Sequence, residues 1–121
     1  LEAGRWGLCD RFVDSTRAYQ GGGGGVDLEW IDDLSRHAVV GYWPDRVYLF
    51  DAPAELAAQR RGGRGPAEDR FEAQNLAYFE RVRQVYLHQH RPGVQAIFRV
   101  IDSVQNVSRI QQILTEDIIK L

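Results

Sequence analysis

Trp6-Gly7-Leu8-Cys9-Asp10-Arg11 runs directly into Phe12-Val13-Asp14-Ser15-Thr16-Arg17-Ala18-Tyr19-Gln20-Gly21. The apolar lead from Trp6 to Cys9 predicts a short buried strand. It ends on an acid and an arginine and then opens into a polar segment. Open α/β sheets build binding sites in this way, because ligands sit outside the carboxyl ends of the strands. Cys9 then reads as a buried strand residue rather than a nucleophile.

Outward from this stretch, strands alternate with helices. Gly21 to Gly25 is a five-glycine run, expected to be an irregular loop that either approaches a ligand or crosses the surface. From Asp27 to Val40, the apolar residues Leu28, Ile31, Leu34 and Ala38 recur at helical spacing. Pro44-Asp45 breaks the chain, and Arg46 to Phe50 predicts a strand ending at Asp51. Pro53 to Arg61 predicts a helix with proline in its first turn. After the glycine- and arginine-rich break at 62–66 comes a long amphipathic helix, Asp69 to His88, with Phe71, Tyr78, Phe79, Val82 and Tyr86 on one face. Ala96 to Ile101 predicts a third strand, ending at Asp102, and Asn106 to Leu121 a closing helix. Alternation of this kind implies right-handed crossovers and a parallel sheet, although three strands are few for a doubly wound one.

A chain of 121 residues, 44% of them hydrophobic, suffices for one domain with a core. The net charge of −2 gives no bulk attraction to nucleic acid or to a membrane surface. Lys120 is the only lysine, so the positive charge is almost all arginine, the side chain suited to bidentate contact with phosphate or carboxylate. A single cysteine excludes an internal disulfide framework and fits a reducing compartment. No stretch reads as a signal peptide or a membrane span, so a cytoplasmic location is expected.

Two arginine groups carry the chemistry. Arg60, Arg61, Arg64 and Arg70 bracket glycines between two helices. Such a loop can close over a polyphosphate and stabilise charge during phosphoryl transfer, or it can be a solvated charged connection. Arg11 beside Asp10 at a strand end is the sharper signal. There an arginine can grip a phosphate while the acid orients it or a magnesium ion, or the two can simply close the strand with a salt bridge. Ser15, Thr16, Tyr19 and Gln20 offer hydroxyl, phenol and amide groups to a small heterocycle. His37, His88 and His90 do not have metal-ligand spacing and read as surface or packing residues.

Asp10-Arg11-Phe12 followed by Ser15-Thr16-Arg17-Ala18-Tyr19-Gln20-Gly21 resembles the signature of thymidylate kinases. Later segments follow the family's order: Val26-Asp27 after the glycines, Tyr48-Leu49-Phe50-Asp51, Asp69-Arg70-Phe71-Glu72, Tyr78-Phe79-Glu80-Arg81-Val82-Arg83, and Val100-Ile101-Asp102. The resemblance covers essentially the whole chain. It implies ATP-dependent, magnesium-assisted phosphorylation of thymidine monophosphate on a three-layer α/β fold of the P-loop nucleoside monophosphate kinase type. Arg11 is then similar to the arginine that holds the acceptor phosphate, and Asp10 to its acidic neighbour near the phosphates and the metal. Thr16, with Ser15 beside it, matches the residue facing the pyrimidine. Tyr19 matches the tyrosine beside the sugar, and Gln20 a base-side contact. Arg60, Arg64 and Arg70 resemble lid arginines near the donor, and Asp102-Ser103-Val104-Gln105 resembles the turn beside adenine. Residues 10–25, 60–70 and 102–105 are thus the acceptor segment, the lid and the adenine-side turn. The family also implies a homodimer, with the helix from Asp27 to Val40 as a contact face.

Two departures from the family pattern stand out. Gly24 occupies a place where bacterial relatives often carry arginine. The chain also contains no GxxxxGK[ST] phosphate loop. In the family's sheet the strand leading to that loop lies between the strands corresponding to Trp6–Cys9 and Val47–Phe50. The expectation is therefore the C-terminal part of a longer kinase, with a central strand missing and little activity by itself. Two alternatives remain: a catalytically inactive kinase-like module serving binding or assembly, and a kinase for a related deoxynucleotide.

Overall fold

A computed structural model describes residues 3–61, 68–89 and 94–121. Helix α1 (Val13–Thr16) passes without a break into a π-helical segment, Arg17–Gly23. Then follow α2 (Leu28–Val39), β1 (Arg46–Asp51), α3 (Ala54–Arg61), α4 (Glu68–Leu87), β2 (Ile97–Asp102) and α5 (Val107–Ile118). Strands β1 and β2 pair in parallel, with Arg46 opposite Ile97 and Asp51 opposite Asp102. The crossover between them carries α3 and α4, as a parallel connection requires. The described residues form an α/β arrangement with a two-stranded sheet.

Local chemistry explains most element ends. The Asp27 side chain accepts the Glu29 N–H at 2.8 Å and starts α2. Val40 and Gly41, at φ of 50° and 84°, stop it with left-handed backbone. Asn106 caps α5 by accepting the Arg109 N–H at 2.8 Å. Near its other end, Asp117 accepts the Tyr48 hydroxyl at 2.7 Å and pairs with Arg46 at 2.9 Å and Arg99 at 3.5 Å. One carboxylate on α5 therefore ties it to both strands. Among the described residues the buried apolar ones are Ala18, Ile31, Val39, Ala54, Val82 and Ile101. They come from five elements, with the π-helical segment and α3 both packed on α4.

Four expectations need correction. Trp6–Cys9 is not a strand: it is irregular, Trp6 is 75% exposed and Leu8 fully so. A strand needs a ladder partner for its N–H and C=O groups, and the sheet order among the described residues is β1-β2 alone. Consequently Cys9 is also exposed rather than buried.

The glycine run is not irregular throughout. Gly21, Gly22 and Gly23 belong to the π-helical segment. A Cβ on Gly22 would sit 2.6 Å from Val85 Cγ2 and 2.9 Å from the Arg81 carbonyl oxygen, and one on Gly23 would meet the Tyr78 ring at 2.4 Å. Glycine here serves close approach to α4 rather than looseness. The inward face of α2 is also rotated from the expected stripe. Ile31, Ser35 and Val39 are buried, whereas Leu34 and Ala38 are exposed.

Candidate functional site

The first cluster gathers around Arg11, α1 and the start of the π-helical segment. Arg11 adopts a φ of 63°, left-handed backbone that an L side chain occupies only under strain. Its guanidinium carbon lies 5.3 Å from the centroid of the Tyr19 ring, a cation–π distance. Tyr19 meets Tyr86 of α4 edge to face, with centroids 6.1 Å apart. The Tyr86 hydroxyl and Ser15 Oγ are 2.7 Å apart, either one able to donate. Burial first of all pushes the Tyr86 phenol above its ordinary value of 10, so it stays neutral and remains a donor at physiological pH.

Helical geometry divides the polar residues between two faces. Ser15 and Tyr19 are four apart and join Arg11 and Tyr86. Thr16 and Gln20 are also four apart but line a neighbouring open groove of about 310 Å³, with Val13, Trp30, Ile31 and Leu34 on its apolar walls. A planar heterocycle with a few polar edges suits such a groove. Arg17 is committed elsewhere, donating to both Asp32 carboxylate oxygens at 3.0 and 3.3 Å.

Asp10 is exposed beside Arg11. Among the described residues no three His, Cys, Asp or Glu side chains stand close enough to hold a metal by themselves. Magnesium does not require that, since it keeps several waters and takes one or two carboxylates together with substrate phosphates. A single open carboxylate such as Asp10 fits that donor set.

The second cluster lies at the carboxyl ends of β1 and β2. Arg83 of α4 forks onto Asp51, with Nε 2.7 Å from Oδ1 and Nη2 3.0 Å from Oδ2. This fork, before any other cause, holds the Asp51 carboxyl below its ordinary value. The Asp51 carbonyl accepts twice from Ser103, from N–H at 2.9 Å and from Oγ at 2.8 Å. Arg60 reaches the Ser103 carbonyl through both terminal nitrogens at 3.3 Å. Asp102 accepts the Val104 N–H at 2.9 Å, and the Gln105 amide donates to the Asp102 carbonyl at 3.0 Å. The turn 102–105 is thus internally braced. Arg64 lies outside the described residues. Arg70 falls in the first turn of α4, and its side chain lies outside them too.

The structure therefore brings Arg11, Ser15 and Tyr19 together, Thr16 and Gln20 together beside them, and Arg60 with Ser103. It also enlists residues that sequence reasoning did not single out as site residues: Tyr86, Arg83 and Asp51. Their signal was a three-residue spacing on α4 and the acid that ends a strand, and neither reveals a partner far away in the chain.

The thymidylate kinase family model matches residues 1–113. The chain is 42% identical to the thymidylate kinase of Cupriavidus necator over 92% of its own length and 54% of that protein's. It is 43% identical to that of Cupriavidus metallidurans over 100% of its length and 60% of that protein's. With that of Pseudomonas putida GB-1 it shares 41% identity over 87% of its length and 49% of that protein's. The chain spans about half the length of the curated relatives it matches.

Proposed function

The chain belongs to the thymidylate kinase family, and from that premise we propose that it supplies the acceptor side, lid and adenine-side turn of an enzyme transferring a phosphoryl group from ATP to thymidine monophosphate. The turnover is assigned to the full-length protein. The observation that carries this reading is the cluster of Arg11, Tyr19, Tyr86 and Ser15. It holds an arginine against an aromatic wall beside a groove lined by three polar residues, Thr16, Gln20 and Ser35.

In this reading the Arg11 fork grips the acceptor's phosphate, and stacking on Tyr19 limits where the guanidinium can go. Tyr19 and Tyr86 form the wall beside the sugar, with Ser15 fixing the Tyr86 hydroxyl. Thr16 and Gln20 meet the pyrimidine. Asp10 holds magnesium, which when bound neutralises phosphate charge. Arg60, Arg64 and Arg70 cover the donor, with Arg60 and Arg64 closest to the transferring group, and Asp102, Ser103 and Gln105 border the adenine. Phosphoryl transfer needs positioning and charge stabilisation more than covalent participation, and these residue types provide both. The three-layer sheet of the nucleoside monophosphate kinases is the fold that the full-length protein would complete. Its proposed substrates are water-soluble nucleotides, and on that ground we assign the enzyme to the cytoplasm; separately, no helix among the described residues is long and apolar enough to cross a membrane. We also propose that two copies pair through α2 and its carboxyl end, where Val40 is 73% exposed.

The test is ADP release by the full-length protein from ATP and magnesium, with thymidine, uridine, cytidine and guanosine monophosphates offered in turn. Turnover selective for thymidine monophosphate is expected. Preference for another nucleotide would shift the assignment to a related kinase, and no turnover with any would leave a binding or assembly module.

A further inference from the structure

We propose that Arg83 is a positioning residue that locks the acceptor-side and donor-side halves of the site to each other through Asp51. The inference rests on the functional reading above and deepens it. Helix α4 carries both connections. Tyr86, bonded to Ser15 at 2.7 Å, belongs to the acceptor cluster. Arg83, three residues earlier and so on the same side of the helix, forks onto Asp51 at 2.7 and 3.0 Å. Asp51 in turn holds the 102–105 turn through two hydrogen bonds from Ser103 to its carbonyl, and Arg60 closes on the Ser103 carbonyl. The connection is continuous: Ser15, Tyr86, one helical turn, Arg83, Asp51, Ser103, Arg60.

The pair has the geometry needed to fix a distance. A fork–fork contact sets orientation as well as separation, which a single hydrogen bond does not. Arg83 is partly buried, and its Asp51 partner carries its charge at all physiological pH values. Glu80 adds a second contact to Arg83 at 3.4 Å and steadies the side chain from one turn back on α4. Transfer between two bound substrates is sensitive to their separation, so a loosened lock lowers turnover while each substrate still binds its own half.

The test uses the full-length protein with Arg83→Met, Arg83→Lys, Asp51→Asn and the Arg83→Met/Asp51→Asn double variant. KM for each substrate, kcat, melting temperature and amide exchange at Ser103 are recorded for all. For Arg83→Met a fall of about 10- to 100-fold in kcat is expected, with both KM values within about threefold of wild type. Arg83→Lys, which keeps the charge but not the fork, should fall in between. The double variant should lose no more than the worse single one, because both remove the same contact. Exchange at the Ser103 amide should quicken in every variant that breaks the fork. A kcat for Arg83→Met within twofold of wild type would overturn the proposal, as would a rise in one substrate's KM alone, which would make Arg83 a direct contact. The exchange measurement needs no turnover. If wild type fails to phosphorylate thymidine monophosphate while Arg83→Met still quickens Ser103 exchange, the function fails and the lock stands. Unchanged exchange removes the lock whatever the activity.

Discussion

Arg11 shows at the scale of one residue how a local cost marks a site. Left-handed backbone at a non-glycine residue costs on the order of 1 kcal/mol or more, and the cation–π contact with Tyr19 returns about 0.5–1 kcal/mol. The two nearly cancel, so Arg11→Gly should leave the melting temperature within a few degrees of wild type. In the full-length protein it should still raise the acceptor's KM and lower turnover by about 10-fold or more, the scale expected when a charged contact to a phosphate is lost. Unchanged kinetics would remove Arg11 from the site. Tyr19→Phe keeps the ring and so should alter deoxyribose discrimination more than donor affinity, as measured by comparing ribo- and deoxyribonucleotide acceptors. Ionisable pairs give a second observable. Asp51 has a lowered value in the fold, so its contribution to stability is complete above the unfolded value near 3.8 and is lost as pH falls through the lowered one. Tyr86 has a raised value, so its contribution is complete below about 10 and is lost as pH rises further. Melting temperature against pH should therefore show a plateau between these limits, with the acid limb reduced in Asp51→Asn. Arg11, Ser15 and Tyr19 were legible in the sequence because they lie within one short segment. Tyr86 was not, because 71 positions separate it from its Ser15 partner, and periodicity carries no information about such a pairing.

At the scale of elements, the same contrast explains the glycine run. Five consecutive glycines read as a loop because glycine is costly inside a helix. What outweighs that cost is the nearness of α4, which sequence periodicity does not display. Gly22→Ala places a methyl 2.9 Å from the Arg81 carbonyl oxygen, and a backbone atom cannot swing away as a side-chain tip can. The substitution should destabilise by about 1–3 kcal/mol, an overpacking cost. A chemical-denaturation midpoint unchanged from wild type would show that the two elements separate easily. Gly24 is similarly restricted: its added Cβ would lie 2.8 Å from the Gln20 carbonyl oxygen. An arginine installed there would have to shift this turn before reaching any ligand. Helix α2 was readable in position and length because Asp27 caps it and its apolar spacing is regular. Its orientation was not, since Leu34 and Ala38 share the apolar pattern with Ile31 yet lie outside the buried face. Val40, exposed at the carboxyl end of α2 and clear of the groove, makes Val40→Glu the probe of pairing. In the full-length protein it should shift the sedimentation coefficient towards a monomer without changing the far-ultraviolet circular dichroism, and an unchanged sedimentation coefficient would remove α2 from any interface.

At the scale of the whole molecule, surface area decides how far these elements can stabilise one another. The chain exposes 8989 Å², whereas a compact monomer of its 13.8 kDa mass exposes about 6,600 Å². Part of the excess is apolar: Trp6, Leu8, Phe50 and Val100 are more than half exposed. Parallel strands are normally covered on both faces and supported by further strands, and a two-stranded pair is marginal in water. The alternation of strands and helices was legible from the sequence. The pairing of Trp6–Cys9 was not, because an apolar run becomes a strand only where a neighbour supplies its hydrogen bonds. The 121-residue chain prepared alone should therefore unfold over a broad temperature range and bind a hydrophobic dye such as ANS, as loosely packed states do. The full-length protein, about twice as long in its relatives, should melt in a sharp transition with little dye bound. A sharp transition without dye binding in the short chain would show that α4 and the two-stranded sheet suffice as a core, and its ligand affinities could then be measured on the short chain directly. A broad transition in both would place the weakness in the packing of α4 itself rather than in the uncovered sheet.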